Sequence, residues 1–187
     1  ELEDGSLKAD FSATWLETCV EGSLKRLQTD HLDILLLHGP SDATDWRKFD
    51  PEPFEKMITS GKILRYGISS HSVYGAESVL DAGIGSVIEV IYNAMDRRIA
   101  KNLLPQAEKD NTFVIARVPL AKGFISEKYS KKTVSFPKED HRSLISNNEK
   151  AWLLESAEKL SFLSELPGGM VISGLRFCLS EPRIGVV

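Results

Sequence analysis

"DHLDILLLHGPSD", Asp30 to Asp42, sets Ile34-Leu35-Leu36-Leu37 directly before His38 and then breaks on Gly39-Pro40. Such a short, continuous apolar run, bounded by turn residues, fits a parallel strand covered on both faces better than a helix. Alternation places Ile34, Leu36 and His38 on one face of it. The imidazole therefore stands where the apolar filling of that face stops.

Working outward, Leu16, Val20, Leu24 and Leu27 form one stripe of an amphipathic helix over Ser12 to Gln28, with Ser12 as N-cap. After the strand, a Pro-rich loop leads to a helix from about Pro51 to Ser60 with Phe54, Met57 and Ile58 inward. Gly61 ends it from the C′ position, and "KILRYGIS" follows as a second strand. The alternation repeats: "SVYGAESVLDAG" predicts a helix closed by Gly83, "SVIEVIYN" a strand, "LLPQAEKDN" a helix entered through Pro105, and "TFVIARVP" a strand. Residues Glu127 to Asn147 are polar and aperiodic, a long loop. Helices around Ala151 to Leu163 and Met170 to Leu179 precede "RIGVV", the start of a last strand.

Strands alternating with helices through short connections mean parallel βα units. A doubly wound dinucleotide fold should carry G-x-G-x-x-G between a strand and a helix, and no such stretch occurs. Polar residues instead close successive strands: His38, Ser69 with Ser70, Asn93, and Arg117. A (β/α)8 barrel places its active site at those ends, so the expected fold is α/β, part of a (β/α)8 TIM barrel. About five strands are visible where the closed barrel needs eight and about 250 residues. The expectation is an incomplete barrel domain over 1–187, about strands 4 to 8.

The chain has 187 residues, 42% hydrophobic and 27% charged, with a net charge of -4 spread over interspersed acids and bases. No basic stripe is present to neutralise a phosphate backbone, which argues against nucleic acid as a partner. No apolar run approaches the roughly 20 residues of a membrane helix. Cys19 and Cys178 sit in helical patterns where a buried thiol is commoner than a disulfide or a metal ligand, which fits a reducing cytoplasm.

"SLKRLQTDHLDILLLHGPSD" resembles the aldo-keto reductase pattern in which a helix leads into a strand ending on a catalytic His. "GKILRYGISSHS", "VIEVIYNAMDRR", "IARVPLAKGFIS" and "LRFCLSEPRIGVV" are similar to later blocks of that family, in the family's order. The resemblance implies reduction of an aldehyde or ketone, or the reverse oxidation, with NADP(H) or NAD(H) and no metal. It implies that His38 binds the carbonyl oxygen. The Tyr, Lys and Asp that complete the family's machinery are expected before Glu1, so the chain alone is expected to be inactive. Lys8 lies in a loop and is no substitute. Tyr66, Tyr74 and Tyr92 are assigned to packing or surface, not to proton donation. Missing strands would leave open sheet edges, so the segment alone is expected to be poorly soluble or to associate.

The same resemblance implies cofactor contacts from Ser69, Ser70, Glu89, Arg117, Leu120 and Lys122. Ser69 matches the family's Ser of a Ser-Asn pair at the nicotinamide carboxamide, whereas Ser70 replaces the Asn with a shorter hydroxyl or else caps the next helix. Glu89 stands where the family has Gln; ionised, it accepts from the carboxamide NH₂ and cannot donate. Its alternative is a pairing with a nearby cation. Arg117 stands where many members stack an aromatic ring; its guanidinium can stack there or bind a carboxylate. Leu120 and Lys122 fall in the loop implied to wrap the pyrophosphate, with a solvated surface lysine as the other reading of Lys122.

A zinc site from His31, Asp33 and His38 fails on geometry, because Asp33 and His38 are roughly 16 Å apart along one strand at about 3.3 Å per residue. His71 and His141 are read as loop residues. Two other functions remain: a nucleotide-binding or regulatory protein without turnover, and a barrel enzyme acting on a phosphorylated substrate. The latter would need a phosphate loop, for which Gly168-Gly169 is the candidate.

Overall fold

A computed structural model describes residues 10–129 and 134–187; Lys8 lies outside them. The described residues form two compact units, one from residues up to Val90 together with Pro105–Phe113, the other from Ile91–Leu104 and Val114–Val187.

In the first unit, α1 (Ala13–Leu27) precedes β1 (Leu32–His38), α2 (Glu52–Thr59), β2 (Ile63–Ser69), α3 (Val73–Asp81) and β3 (Val87–Ile91). The three strands run parallel, with Leu36 beside Gly67 and His38 beside Ser69, then Gly67 beside Val87 and Ser69 beside Glu89. Gly67 is required by this pairing: a Cβ there would stand 1.8 Å from the Val87 carbonyl oxygen. Leu16, Val20 and Leu24 of α1 are buried as their spacing predicts. Leu27 is not: the helix stops there, Gln28 turns the backbone left-handed, and Leu27 stays 64% exposed. Cys19, also expected inside, is exposed because it lies off the stripe. Ser12 takes the cap position without a side-chain cap bond; its own N–H donates to Asp10 instead. Phe54 and Met57 of α2 are buried, Ile58 half-buried, and Tyr66 of β2 stacks on Phe54 at 4.5 Å. Gly61 and Gly83 end α2 and α3 as predicted: Lys62 N–H reaches the Met57 carbonyl and Ile84 N–H the Val79 carbonyl, the bonding of a Schellman cap.

In the second unit, β4 (Phe113–Arg117) runs parallel to β5 (Ile184–Val186), with Val114 beside Ile184. Helix α4 (Leu103–Lys109), most of which belongs to the first unit, carries Pro105 in its first turn, where the missing N–H costs nothing. Helix α5 spans Asn147–Lys159, earlier than its apolar pattern indicates, because the Ser146 hydroxyl accepts the Glu149 N–H. A 3₁₀ turn over Ser161–Glu165 replaces its expected continuation, and α6 spans Gly169–Leu179. The expected long loop contains a 3₁₀ turn at His141–Leu144. Phe124, Ile125, Ile145, Leu153 and Met170 form the core of this unit. Cys178 is fully buried beside the Tyr92 carbonyl, and burial pushes its thiol up to about 11. No described helix is long and apolar enough to cross a membrane.

Candidate active site

Residues in register on parallel neighbours point to the same side, so His38, Ser69 and Glu89 share one face: His38 and Ser69 close β1 and β2, and Glu89 stands beside Ser69 in the middle of β3. Leu37 turns the other way, into a cavity wall with Leu16 and Phe54. The strand ends are knitted together: Gly39 N–H donates to the Ser69 carbonyl and Ser70 N–H to the Glu89 carbonyl, both at 2.9 Å. The buried Ser69 hydroxyl donates to the Glu89 carboxylate. Glu89 is half-buried, and no cation lies within ion-pair distance of it among the described residues. Its expected alternative role, as the partner of a neighbouring cation, is thus not what the geometry shows; a hydroxyl holds it. Ser70 is buried and donates to the Ser72 carbonyl at 2.9 Å, while Ser72 caps α3 through the Gly75 N–H.

The His38 ring is exposed and meets the ring of His71 edge-on, centroids 5.8 Å apart. Gly39 makes room for this contact. Its φ is +60°, and a Cβ there would sit 2.1 Å from His71 Nε2. Sequence reading assigns His71 only a loop role, since nothing local signals a ring arriving from the next βα loop. His31 belongs to the opposite end of β1, where Nδ1 lies 2.7 Å from Asp30; the hydrogen bond that His31 makes to the Asp30 carboxylate raises its pKa.

Arg117, Leu120 and Lys122 belong to the second unit. Arg117, half-buried, ends β4, and its carbonyl accepts the Tyr92 N–H. Beyond it the backbone departs from ordinary torsions: φ is +57° at Val118, +48° at Ala121 and +58° at Lys122. Each such residue costs about 1–3 kcal/mol unless its surroundings fix it. Here Asn93 does so. It is buried, its amide donates to the Val118 carbonyl at 3.0 Å, and its oxygen accepts the Met95 and Asp96 N–H groups at 2.9 and 2.8 Å. Asn93, expected to end a strand facing the mouth, is instead a brace whose amide oxygen and one amide N–H are engaged. Lys122 is not merely solvated: Nζ donates to Glu149 at 2.8 Å. Arg142 ties the loop from the far side, bonding the Tyr129 hydroxyl, Asp140 and the Lys122 carbonyl.

Gly168-Gly169 offers no phosphate seat. The Glu127 carboxylate accepts the Met170 N–H at 2.9 Å and lies 2.7 Å from where a Gly169 Cβ would be, so an acid already holds this helix end. That bond lowers the Glu127 pKa. The reading as an enzyme of phosphorylated substrates loses its one sequence feature.

Parallel βα units with polar groups closing their strands define the class: an α/β fold that is part of a (β/α)8 barrel. The Aldo/keto reductase family model matches residues 2–186, and the chain belongs to that family. It is 36% identical to the Bacillus subtilis oxidoreductase YqkF over 120 residues, 64% of this chain and 38% of that protein. It is 26% identical to the Schizosaccharomyces pombe aldo-keto reductase yakc [NADP(+)], over 75% of this chain and 42% of that protein. A solved glycerol dehydrogenase from Gluconobacter oxydans matches with a TM-score of 0.77 and 26% identity, over 100% of this chain and 58% of its own. The chain thus spans well under two thirds of the relatives it matches.

Proposed function

We propose that this chain carries the carbonyl-binding and nicotinamide-holding part of an NADP(H)- or NAD(H)-dependent oxidoreductase that reduces an aldehyde or ketone, or runs in reverse. The observation that carries this is the shared face of His38, Ser69 and Glu89, in register on three successive strands. A neutral imidazole at His38 donates to a carbonyl oxygen and stabilises the charge that develops on it. Glu89, whose carboxylate meets a hydroxyl and no cation, suits a carboxamide NH₂ as donor, with the Ser69 oxygen as a second acceptor. A bound nicotinamide nucleotide would supply the hydride. Arg117, Leu120 and Lys122 are proposed to contact the rest of that nucleotide, Lys122 only after parting from Glu149.

The chain's four tyrosines all have other surroundings. Tyr66 stacks in the Phe54 cluster, Tyr74 is 70% exposed on α3, Tyr92 stacks on Phe177, and Tyr129 binds Arg142. We therefore propose that the chain alone binds nucleotide without turnover. The test is calorimetric titration with NADP+ and NAD+. Binding by the wild type that weakens about tenfold in Ser69→Ala and Glu89→Ala supports the reading. Equal affinity in all three chains, or no binding of either nucleotide, refutes it, as does steady NADPH oxidation with an aldehyde by the chain alone for the second proposal.

A further inference from the structure

The second unit contains a cavity of about 480 Å³, the size of a small-molecule pocket. Its walls combine apolar side chains, Ile91, Met95, Val118 and Leu153, with charges. Three cations line it: Arg97, Arg98 and Lys122. Two are matched by carboxylates in the same lining. Arg98 forks onto Asp96 at 2.8 and 2.6 Å, and Lys122 meets Glu149 at 2.8 Å. The Arg97 side chain has no ion pair or hydrogen bond among the described residues. At the rim, Trp152 leaves 48% of its surface in solvent.

We propose that this cavity binds a small organic acid, a single carboxylate carried on an apolar, ring-sized body. Arg97 takes the carboxylate, because a planar guanidinium pairs with it through two parallel bonds. Trp152 covers the body, gaining burial for an indole otherwise left in water. One negative charge fits and two do not: a second would face Asp96 or Glu149, which line the same space. That excludes phosphate esters and dicarboxylates by charge repulsion. The site lies wholly within the second unit and shares Lys122 with the proposed nucleotide contacts, while its carboxylate-binding group, Arg97, has no part in them.

The test is titration of the chain with hydrocinnamate, read at the Trp152 indole N–H by nuclear magnetic resonance. Trp152→Phe assigns that signal among the three tryptophans. The expected result is a saturable shift of Trp152, with the neutral analogue hydrocinnamide and the Arg97→Gln variant both weaker by about tenfold or more. Arg97→Lys, which keeps the charge and loses the fork, falls between the wild type and Arg97→Gln. No shift of Trp152, equal binding of acid and amide, or unchanged binding by folded Arg97→Gln overturns the proposal. NADP+ binding, read separately at the Ser69 amide, stays unchanged in Arg97→Gln; its loss together with that of the acid would assign the cavity to the nucleotide and also overturn the proposal. A chain that binds hydrocinnamate and neither nucleotide would sink the reductase reading alone.

Discussion

The strand-end cluster of His38, Ser69 and Glu89 and the loop from Val118 to Gly123 do comparable positioning work by opposite means. In the cluster, regular strands place side chains by alternation and register, and glycines at positions 39 and 67 clear the space. In the loop, the backbone itself is bent into left-handed torsions at non-glycine residues and is held there by an amide far away in sequence. A cluster of the first kind tolerates change at one side chain without moving its neighbours. A loop of the second kind depends on its brace, and that difference can be measured.

The largest effect should come from Asn93→Ala. Two backbone N–H groups and one carbonyl lose their partner at a buried position, and urea denaturation should show a loss of about 2–4 kcal/mol. A loss no larger than that of a surface substitution would show that the loop holds its own shape. Next comes Val118→Asn, since asparagine tolerates the left-handed region far better than a β-branched residue. A gain of about 1 kcal/mol is expected in the same experiment, and an equal loss would mean that the Val118 side chain outweighs the relief of strain.

Smallest is the acid response of the partly buried bonds that hold the neighbouring segments. Hydrogen bonds from the Arg142 side chain keep the Asp140 carboxyl well below the usual carboxylate range, and the Met170 N–H lowers Glu127. Each folded pKa lies below its unfolded value. Their contribution is therefore fully present above that unfolded value, near 3.8 for Asp140, and is lost as pH falls through the folded one. Asp140→Asn should flatten the stability curve below pH 3.8 and leave the neutral region nearly unchanged. A wild-type slope that persists in the variant would assign it elsewhere.

The two regions were also unequally legible in the sequence. Strands and helices followed from periodicity and from Gly61 and Gly83, because caps and alternation are local physics. His38 and Ser69 were found for the same reason, since each closes a strand; Glu89 came from the family resemblance, and register brings all three to one face. Their contacts were harder. The Ser69 to Glu89 bond spans twenty positions and joins two strands, and His71 reaches His38 only because Gly39 has no side chain. Asn93 did carry a signal, since an asparagine followed by a short polar turn commonly accepts N–H groups two and three residues on. Val118 carried none. Valine is among the residues least expected at positive φ, so that torsion is a product of tertiary bonding.

The central claim, that three strands in register make one nucleotide- and carbonyl-facing site, is tested most directly by following the His38 ring together with the Ser69 and Glu89 amides during an NADP+ titration by nuclear magnetic resonance. All three signals should move on one binding curve. Movement of the Ser69 and Glu89 amides while the His38 ring stays still, or curves with different midpoints, would contradict the account.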